Sequence, residues 1–224
     1  MRFVQTLSSL LLGAALTTSV LAAPKPADQN SGLTRREDLE DDIEADEDTW
    51  EKYTKACNGE IVKRADLFAR LDGLPVAMGD SQLMDLPIGL YTENLKPCIG
   101  LVVTGNKKDD KSKLVRVLGH FTASRFNKEA QWQKFKGLVE DADLENRKGY
   151  ISFPDLDGPE DSLSWKKDDE EMMELANEIE DELKDRMDGI VEGDAKKMYR
   201  PMNPASTMRV DAQNNVFVNE QPFP

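Results

Sequence analysis

Cys98 and His120 are the residues of this chain whose types and placement could support chemistry. The sequence holds two cysteines, Cys57 and Cys98, and a single histidine. A cysteine attacks as its thiolate, and an adjacent imidazolium lowers the thiol pKa from about 8.5 to well below neutrality. The histidine then returns a proton to the leaving group, which for an amide is ammonia or an amine. A Cys–His pair would therefore be able to hydrolyse an amide.

A predicted β-hairpin connects these two residues. Residues 99–104 and 114–123 are runs rich in β-branched side chains, and the polar loop GNKKDDKSK separates them. If the alternate apolar residues of both runs face one core, the strands pair so that Cys98 lies opposite His120. A register shifted by two residues would place the two side chains diagonally on the same face. Directly opposed side chains have Cβ atoms about 4.5–5.5 Å apart. The pattern therefore predicts that the histidine neighbours Cys98.

A Cys–His site also needs a group that orients the imidazole and donors that hold the oxyanion. Thr92 is the candidate for the orienting group, and the backbone amides at and just after Cys98 are the candidate oxyanion donors.

The order of these residues resembles the CheD chemoreceptor glutamine deamidases. The shared pattern is T-x-x-L-x-x-C, an apolar strand, a polar turn and a second strand ending in His-apolar; here it runs from Thr92 through Leu95 and Cys98 to His120, about 30 of the 224 residues. CheD is similar in fold to the catalytic domain of cytotoxic necrotizing factor toxins. The resemblance implies a CheD-like fold, with Cys98 as nucleophile, His120 as base and acid, and Thr92 as orienting group. It also implies a protein substrate carrying an exposed Gln.

The chain departs from this family just before the cysteine. The family has a Gly-Ser pair there, whereas this chain has Lys96 and Pro97, and Pro97 lacks a backbone N–H.

A disulfide between Cys57 and Cys98 is the alternative interpretation. Two cysteines in an exported protein can pair in an oxidising compartment. Cys98 would then have no free thiol, and the protein would be a non-enzymatic interaction or effector protein. A third hypothesis combines the Cys–His site with the disulfide. The disulfide would be a reversible cap that protects the thiolate until the protein meets a reducing interior compartment.

Export is predicted from residues 1–22. They combine a basic start at Arg2, an apolar run and small residues at the end, which is typical of a secretory signal peptide. Residues 23–49 are acidic and poor in large apolar side chains, which predicts a disordered segment or tail. Residues 50–224 are expected to form a single domain. Arg35-Arg36 and Lys63-Arg64 resemble dibasic processing sites. The expected location is extracellular, with no stable membrane anchor.

Charge and motifs exclude several classes of function. The net charge of -14 and the pI of about 4.6 argue against binding to nucleic acid. One histidine and two cysteines leave few ligands for zinc, and no H-E-x-x-H, C-x-x-C, P-loop or G-x-G-x-x-G motif occurs. No metal or cofactor is therefore expected.

The remaining patterns predict an α+β fold of antiparallel or mixed sheet layers with at least two flanking helices. The predicted elements are a helix or turn at 66–71, a strand at 86–91, a helix over 126–146 capped by Ser124 or Asn127, a strand at 150–153, a helix from a Ser164 cap to about Val191 with a Met-rich core stripe, and a hairpin of 208–210 with 216–218.

Overall fold

The computed structural model describes residues 46–57, 73–122, 124 and 127–224. The predicted signal peptide, nearly all of the acidic segment, both dibasic pairs and the predicted helix or turn at 66–71 lie outside these residues. The described elements are, in chain order, α1 (Glu47–Cys57), β1 (Leu74–Pro75), β2 (Ser81–Met84), β3 (Leu90–Leu95), β4 (Ile99–Lys107), β5 (Leu114–Phe121), α2 (Lys128–Asp141), β6 (Leu144–Pro154), a 3₁₀ helix (Glu160–Ser162), α3 (Glu170–Asp188), β7 (Lys196–Arg200), β8 (Ser206–Val210), β9 (Val216–Val218) and β10 (Gln221–Pro222).

The strands form two five-stranded sheets, which we call the central sheet and the outer sheet. The central sheet has the order β2-β5-β4-β6-β7, and the outer sheet has the order β1-β3-β8-β9-β10. Most neighbouring strands are antiparallel, while β6–β7 and β1–β3 are parallel. With the three α-helices of the described residues, this is the α+β fold with mixed sheets and flanking helices that the sequence predicts.

The predicted hairpin of β4 and β5 lies in the middle of the central sheet. Its register differs by two residues from the predicted one, because Gly100, not Cys98, lies opposite His120. The turn explains the difference: Lys107 N donates to Lys113 O at 3.0 Å, so the connection begins later than the polar loop suggests. Cys98 and His120 are therefore diagonal neighbours on one face, as expected for the register shifted by two residues.

Both faces of this hairpin are buried. Ile99, Leu101 and Val103 pack against the helices, as the alternation predicts. The opposite face, with Val102 and Leu118, packs against Met208 and other apolar residues of the outer sheet. The described residues thus form three layers, with helices on the central sheet and the central sheet on the outer sheet, and two hydrophobic cores. Cys98 and His120 belong to the face between the sheets.

The helices begin and end at positions set by their caps. Helix α1 begins at Glu47 because Asp46 Oδ1 accepts from Thr49 N at 2.7 Å, so the helix includes three residues predicted to be disordered. Helix α2 is shorter than predicted, and Asn127 at its N-cap makes no side-chain capping bond. Helix α3 is capped by Asp169 rather than Ser164, since the Asp169 carboxylate accepts from Met172 N.

The other predicted elements are present with altered bounds. The Met-rich stripe of α3 is buried in the core, as predicted. The strand predicted at 150–153 extends to Leu144–Pro154, and the strand predicted at 86–91 lies at Leu90–Leu95. The predicted terminal hairpin is formed by β8 and β9. Among the described residues, no helix combines the length and the apolar character needed to cross a membrane.

Candidate active site

Thr92 and His120 meet across the space between the two sheets. Thr92 lies on β3 of the outer sheet, and its Oγ1 is 2.7 Å from Nδ1 of His120 on β5 of the central sheet. Both residues are 1% exposed. The Thr92 hydroxyl also donates to the carbonyl oxygen of Val76 at 2.9 Å. A hydroxyl has one hydrogen, so it accepts from His120, which assigns the proton to Nδ1.

His120 is consequently a neutral imidazole with its lone pair on Nε2. Among the described residues, Nε2 is buried and has no hydrogen-bond partner. Burial, aided by the positive charge of Arg200, lowers the pKa of His120 to about 3. A buried polar atom without a partner costs about 1–3 kcal/mol, and such atoms in native structures call for an explanation. Within the described part of the chain, the Nε2 lone pair is therefore the one left available to a donor.

Cys98 is joined to Cys57 by a disulfide, with Cα atoms 5.2 Å apart. The bond ties the last residue of α1 to the residue before β4, and Cys98 is completely buried. The structure therefore contains the disulfide of the alternative interpretation. In this oxidised state Cys98 has no free thiol to act as a nucleophile. The same geometry places Cys98 and Cys57 within bonding range, as a reversible cap requires.

The diagonal placement keeps Cys98 near His120. Diagonal neighbours in an antiparallel pair lie about 7–8 Å apart at the backbone, within reach of an aromatic ring. The fold thus brings the three predicted residues, Thr92, Cys98 and His120, to one region between the sheets.

The segment from Leu95 to Cys98 is held by two buried side chains that the sequence did not point to. Arg200 on β7 donates through Nη1 to Leu95 O at 2.7 Å and to Lys96 O at 2.6 Å, and through Nη2 to Cys98 O. Its Nε donates to Ser152 Oγ at 3.0 Å. Tyr53 of α1 donates to the remaining carbonyl, that of Pro97, at 3.0 Å. All four carbonyls that lead into β4 are therefore fixed.

Nothing in the sequence pattern singles out Arg200. It follows Cys98 by 102 positions, and its burial depends on the parallel pairing of β6 and β7. Burial lowers the pKa of Arg200 to about 9, which leaves the guanidinium charged at neutral pH. A positive charge thus lies beside the backbone of Cys98.

A cleft of about 390 Å³ opens next to this region. Its wall includes Thr54 of α1, Gly79 and Thr122, and Gly79 N donates to the carbonyl oxygen of His120 at 2.8 Å. Thr122 follows β5 at the end of the hairpin where Cys98 lies. The hydroxyl of Ser124, which also lines the cleft, is buried without a partner among the described residues. Thr54 and Cys57 are three residues apart on α1 and share a helix face. The wall of the cleft is therefore built partly by the helix that the disulfide holds.

Within the described residues, no group of three or more His, Cys, Asp or Glu side chains is arranged to hold a metal ion. Comparison of the sequence with known protein families and with curated proteins finds no match.

Proposed function

We propose that this protein is a cysteine amidohydrolase that deamidates a glutamine side chain of a protein substrate, and that the Cys57–Cys98 disulfide keeps it inactive until it is reduced. The observation that carries the proposal is the Thr92–His120 hydrogen bond, which leaves His120 Nε2 without a partner among the described residues, on the hairpin face that also carries Cys98. The resemblance to CheD supports the same roles for these residues.

Opening the disulfide is the first step. Two thiols of a cellular reductant convert it to the free thiols of Cys57 and Cys98 and are themselves joined in a disulfide. Since Cys98 is completely buried, α1 must also move away from the β4 end for a substrate to approach. The contacts to be broken include the Tyr53 bond to Pro97 and the bond from Thr49 Oγ1 to Glu171, 3.0 Å long.

The chemical steps then follow from the tautomer of His120. Nε2 takes the Cys98 proton, the thiolate attacks the carboxamide carbon, and a tetrahedral oxyanion forms. His120 returns the proton to the nitrogen, ammonia leaves, and a thioester remains. His120 next draws a proton from water, whose oxygen attacks the thioester, and the proton returns to the Cys98 sulfur. The balance is Gln plus water to Glu plus ammonia.

Thr92 fixes the imidazole in this sequence of steps. Its hydroxyl accepts a hydrogen bond from Nδ1–H, so Nε2 is the nitrogen that exchanges protons with substrate. The neighbouring cleft, lined by hydroxyl and amide groups, is the route we propose for the substrate side chain.

We further propose that the protein is secreted. The signal-peptide pattern of residues 1–22 and the disulfide both support export, because disulfides form in oxidising compartments. A target in a reducing compartment would then meet the activated enzyme.

The test uses a protein that cannot form the disulfide. Cys57→Ser should release ammonia from glutamine-containing peptides and proteins without added reductant, whereas the unmodified protein should do so only after reduction. Mass spectrometry should show a gain of about one dalton per deamidated glutamine, and the double variant Cys57→Ser/Cys98→Ser should show none because it lacks the nucleophile. Identical products from the single and double variants would reject the proposal.

A second candidate function is a non-enzymatic interaction or effector protein stabilised by the disulfide. The observation that favours it is the complete burial of Cys98, together with its bond to Cys57. Alkylation of Cys57→Ser under native conditions separates the two candidates. A fast-reacting Cys98 thiol supports the enzyme, and a thiol that reacts only when the protein unfolds supports the interaction protein.

A further inference from the structure

Arg200 is a buried cation without an anionic partner among the described residues. The side chain is 2% exposed, and its hydrogen bonds go to a hydroxyl and three backbone carbonyls, all of them neutral. A buried charge is normally paired, because its desolvation is costly. The half-buried Arg209, by contrast, pairs with Glu220 at 2.7 Å. The described residues around Arg200 therefore place no carboxylate against its guanidinium.

The titratable groups that face Arg200 do not supply this charge near neutral pH. Tyr53 faces it from α1, and burial raises the pKa of that phenol, so the ring stays protonated. His120 faces it from β5 and is neutral, since burial lowers the pKa of its imidazole. Cys98 would become an anionic neighbour on reduction, since its carbonyl oxygen already accepts from Arg200 Nη2.

We propose that Arg200 is the counter-ion of the Cys98 thiolate that forms when the disulfide is reduced. In the oxidised protein the guanidinium positions the Leu95–Cys98 segment, and in the reduced protein it also stabilises the ionised sulfur. Reduction consumes two thiols of a reductant, or one phosphine and one water molecule that together become the phosphine oxide, and the Cys98 thiol then loses its proton to water.

This inference deepens the proposed function and changes the source of positive charge in it. In the resting protein His120 is neutral and holds a proton on Nε2 only during the chemical steps, so the permanent positive charge comes from Arg200. An opposite charge within about 4–6 Å typically shifts a pKa by one to three units. The carbonyl oxygen of Cys57 opposes the effect, because it lies 3.4 Å from Cys98 Sγ and can accept from a neutral thiol.

The experiment titrates the thiol directly. In Cys57→Ser, which contains one cysteine, the ultraviolet absorbance of the thiolate is followed against pH. We expect a midpoint at least about one unit below the free-thiol value of about 8.5. Cys57→Ser/Arg200→Gln should raise the midpoint by about one to two units, a ten- to hundredfold change in the acid dissociation constant. Arg200→Lys should restore part of the shift because it keeps the charge, and Arg209→Gln should leave the midpoint unchanged.

Two results would overturn the proposal: a midpoint at or above the free-thiol value in Cys57→Ser, or a midpoint that Arg200→Gln does not move. Near-ultraviolet circular dichroism checks the fold of each variant. If Arg200→Gln does not fold, the value in Cys57→Ser and its change in Arg200→Lys decide the question. No amide substrate is involved, so a low, Arg200-dependent midpoint in a protein that deamidates nothing would reject the proposed function and leave this inference standing.

Discussion

The Thr92 hydroxyl joins two parts of the molecule that are distant in the sequence. It accepts from His120 Nδ1 and donates to Val76 O, and the three groups come from different segments. Because Thr92 and His120 are buried, each of the three groups depends on the others for its hydrogen bonds. The role of Thr92 is therefore open to test by substitution with an isosteric residue.

Replacing Thr92 with Val should destabilise the protein by about 1–3 kcal/mol, because the His120 N–H and the Val76 carbonyl lose their partner while buried. Urea denaturation measures the change. Thr207→Val on β8, where the side chain is half-buried, serves as the control and should stay within about 0.5 kcal/mol. Equal losses in the two variants would contradict the prediction.

His120 should make stability depend on pH in a range where no other histidine titrates. Its pKa is about 3 in the folded protein, and the ordinary value is 6.5. The unfolded chain therefore binds more protons between these values, and stability falls as the pH is lowered. We expect a loss of about 2 kcal/mol between about pH 7 and pH 5.

Urea denaturation of His120→Gln at the same two pH values isolates this effect. In this variant, the free energy of unfolding should no longer show the part of its pH dependence that His120 causes. Glu93, whose pKa is raised by burial, acts in the opposite direction, but it is present in both proteins. Parallel pH profiles for the two proteins would show that His120 does not titrate as described.

At the level of elements, Gly100 sets how closely the two sheets approach. It lies on β4 opposite His120, and a Cβ at this position would be 2.5 Å from Met208 Sδ and 3.2 Å from Leu95 Cδ1. The outer sheet therefore packs against a strand position that has no side chain. This close approach helps to bring Thr92 of β3 within hydrogen-bond distance of His120.

Gly100→Ala should destabilise the protein by about 1–3 kcal/mol through overpacking between the sheets. Gly137→Ala is the matched control, because this helical glycine has nothing within 4 Å of the added Cβ. The control should stabilise by up to about 1 kcal/mol, since alanine is the better helix former. Thermal denaturation of both variants provides the measurement, and opposite shifts of Tm are the expected outcome.

At the scale of the whole molecule, the disulfide restricts the unfolded chain. It closes a loop between residues 41 positions apart. Loop-closure entropy predicts a contribution of about 4 kcal/mol, so urea denaturation with reductant should show a loss of this size. Cys57→Ala/Cys98→Ala should show a similar loss and no further response to reductant. A protein equally stable with and without reductant would contradict this expectation.

The hairpin and the helix stripe could be predicted because they depend on local periodicity. Alternation along β4 and β5 assigns Ile99 and Val117 to one face, and the spacing of Leu175 and Ile179 assigns a buried face to α3. The register was wrong by two residues because the hydrogen bonds of the turn decide where the strands begin to pair. A register shift of two residues leaves every side chain on the same face of the sheet, so Cys98 and His120 still share a face.

The sequence by itself determined the α+β composition, the alternation of the hairpin faces, and the small set of residues proposed for Cys–His chemistry. Only the tertiary structure decided which of two cysteine states is present, that Thr92 reaches His120, and that Arg200 lies beside Cys98. The physical reason is distance along the chain. Local periodicity determines which face a side chain occupies, whereas contacts between separate sheets and helices depend on how the layers pack.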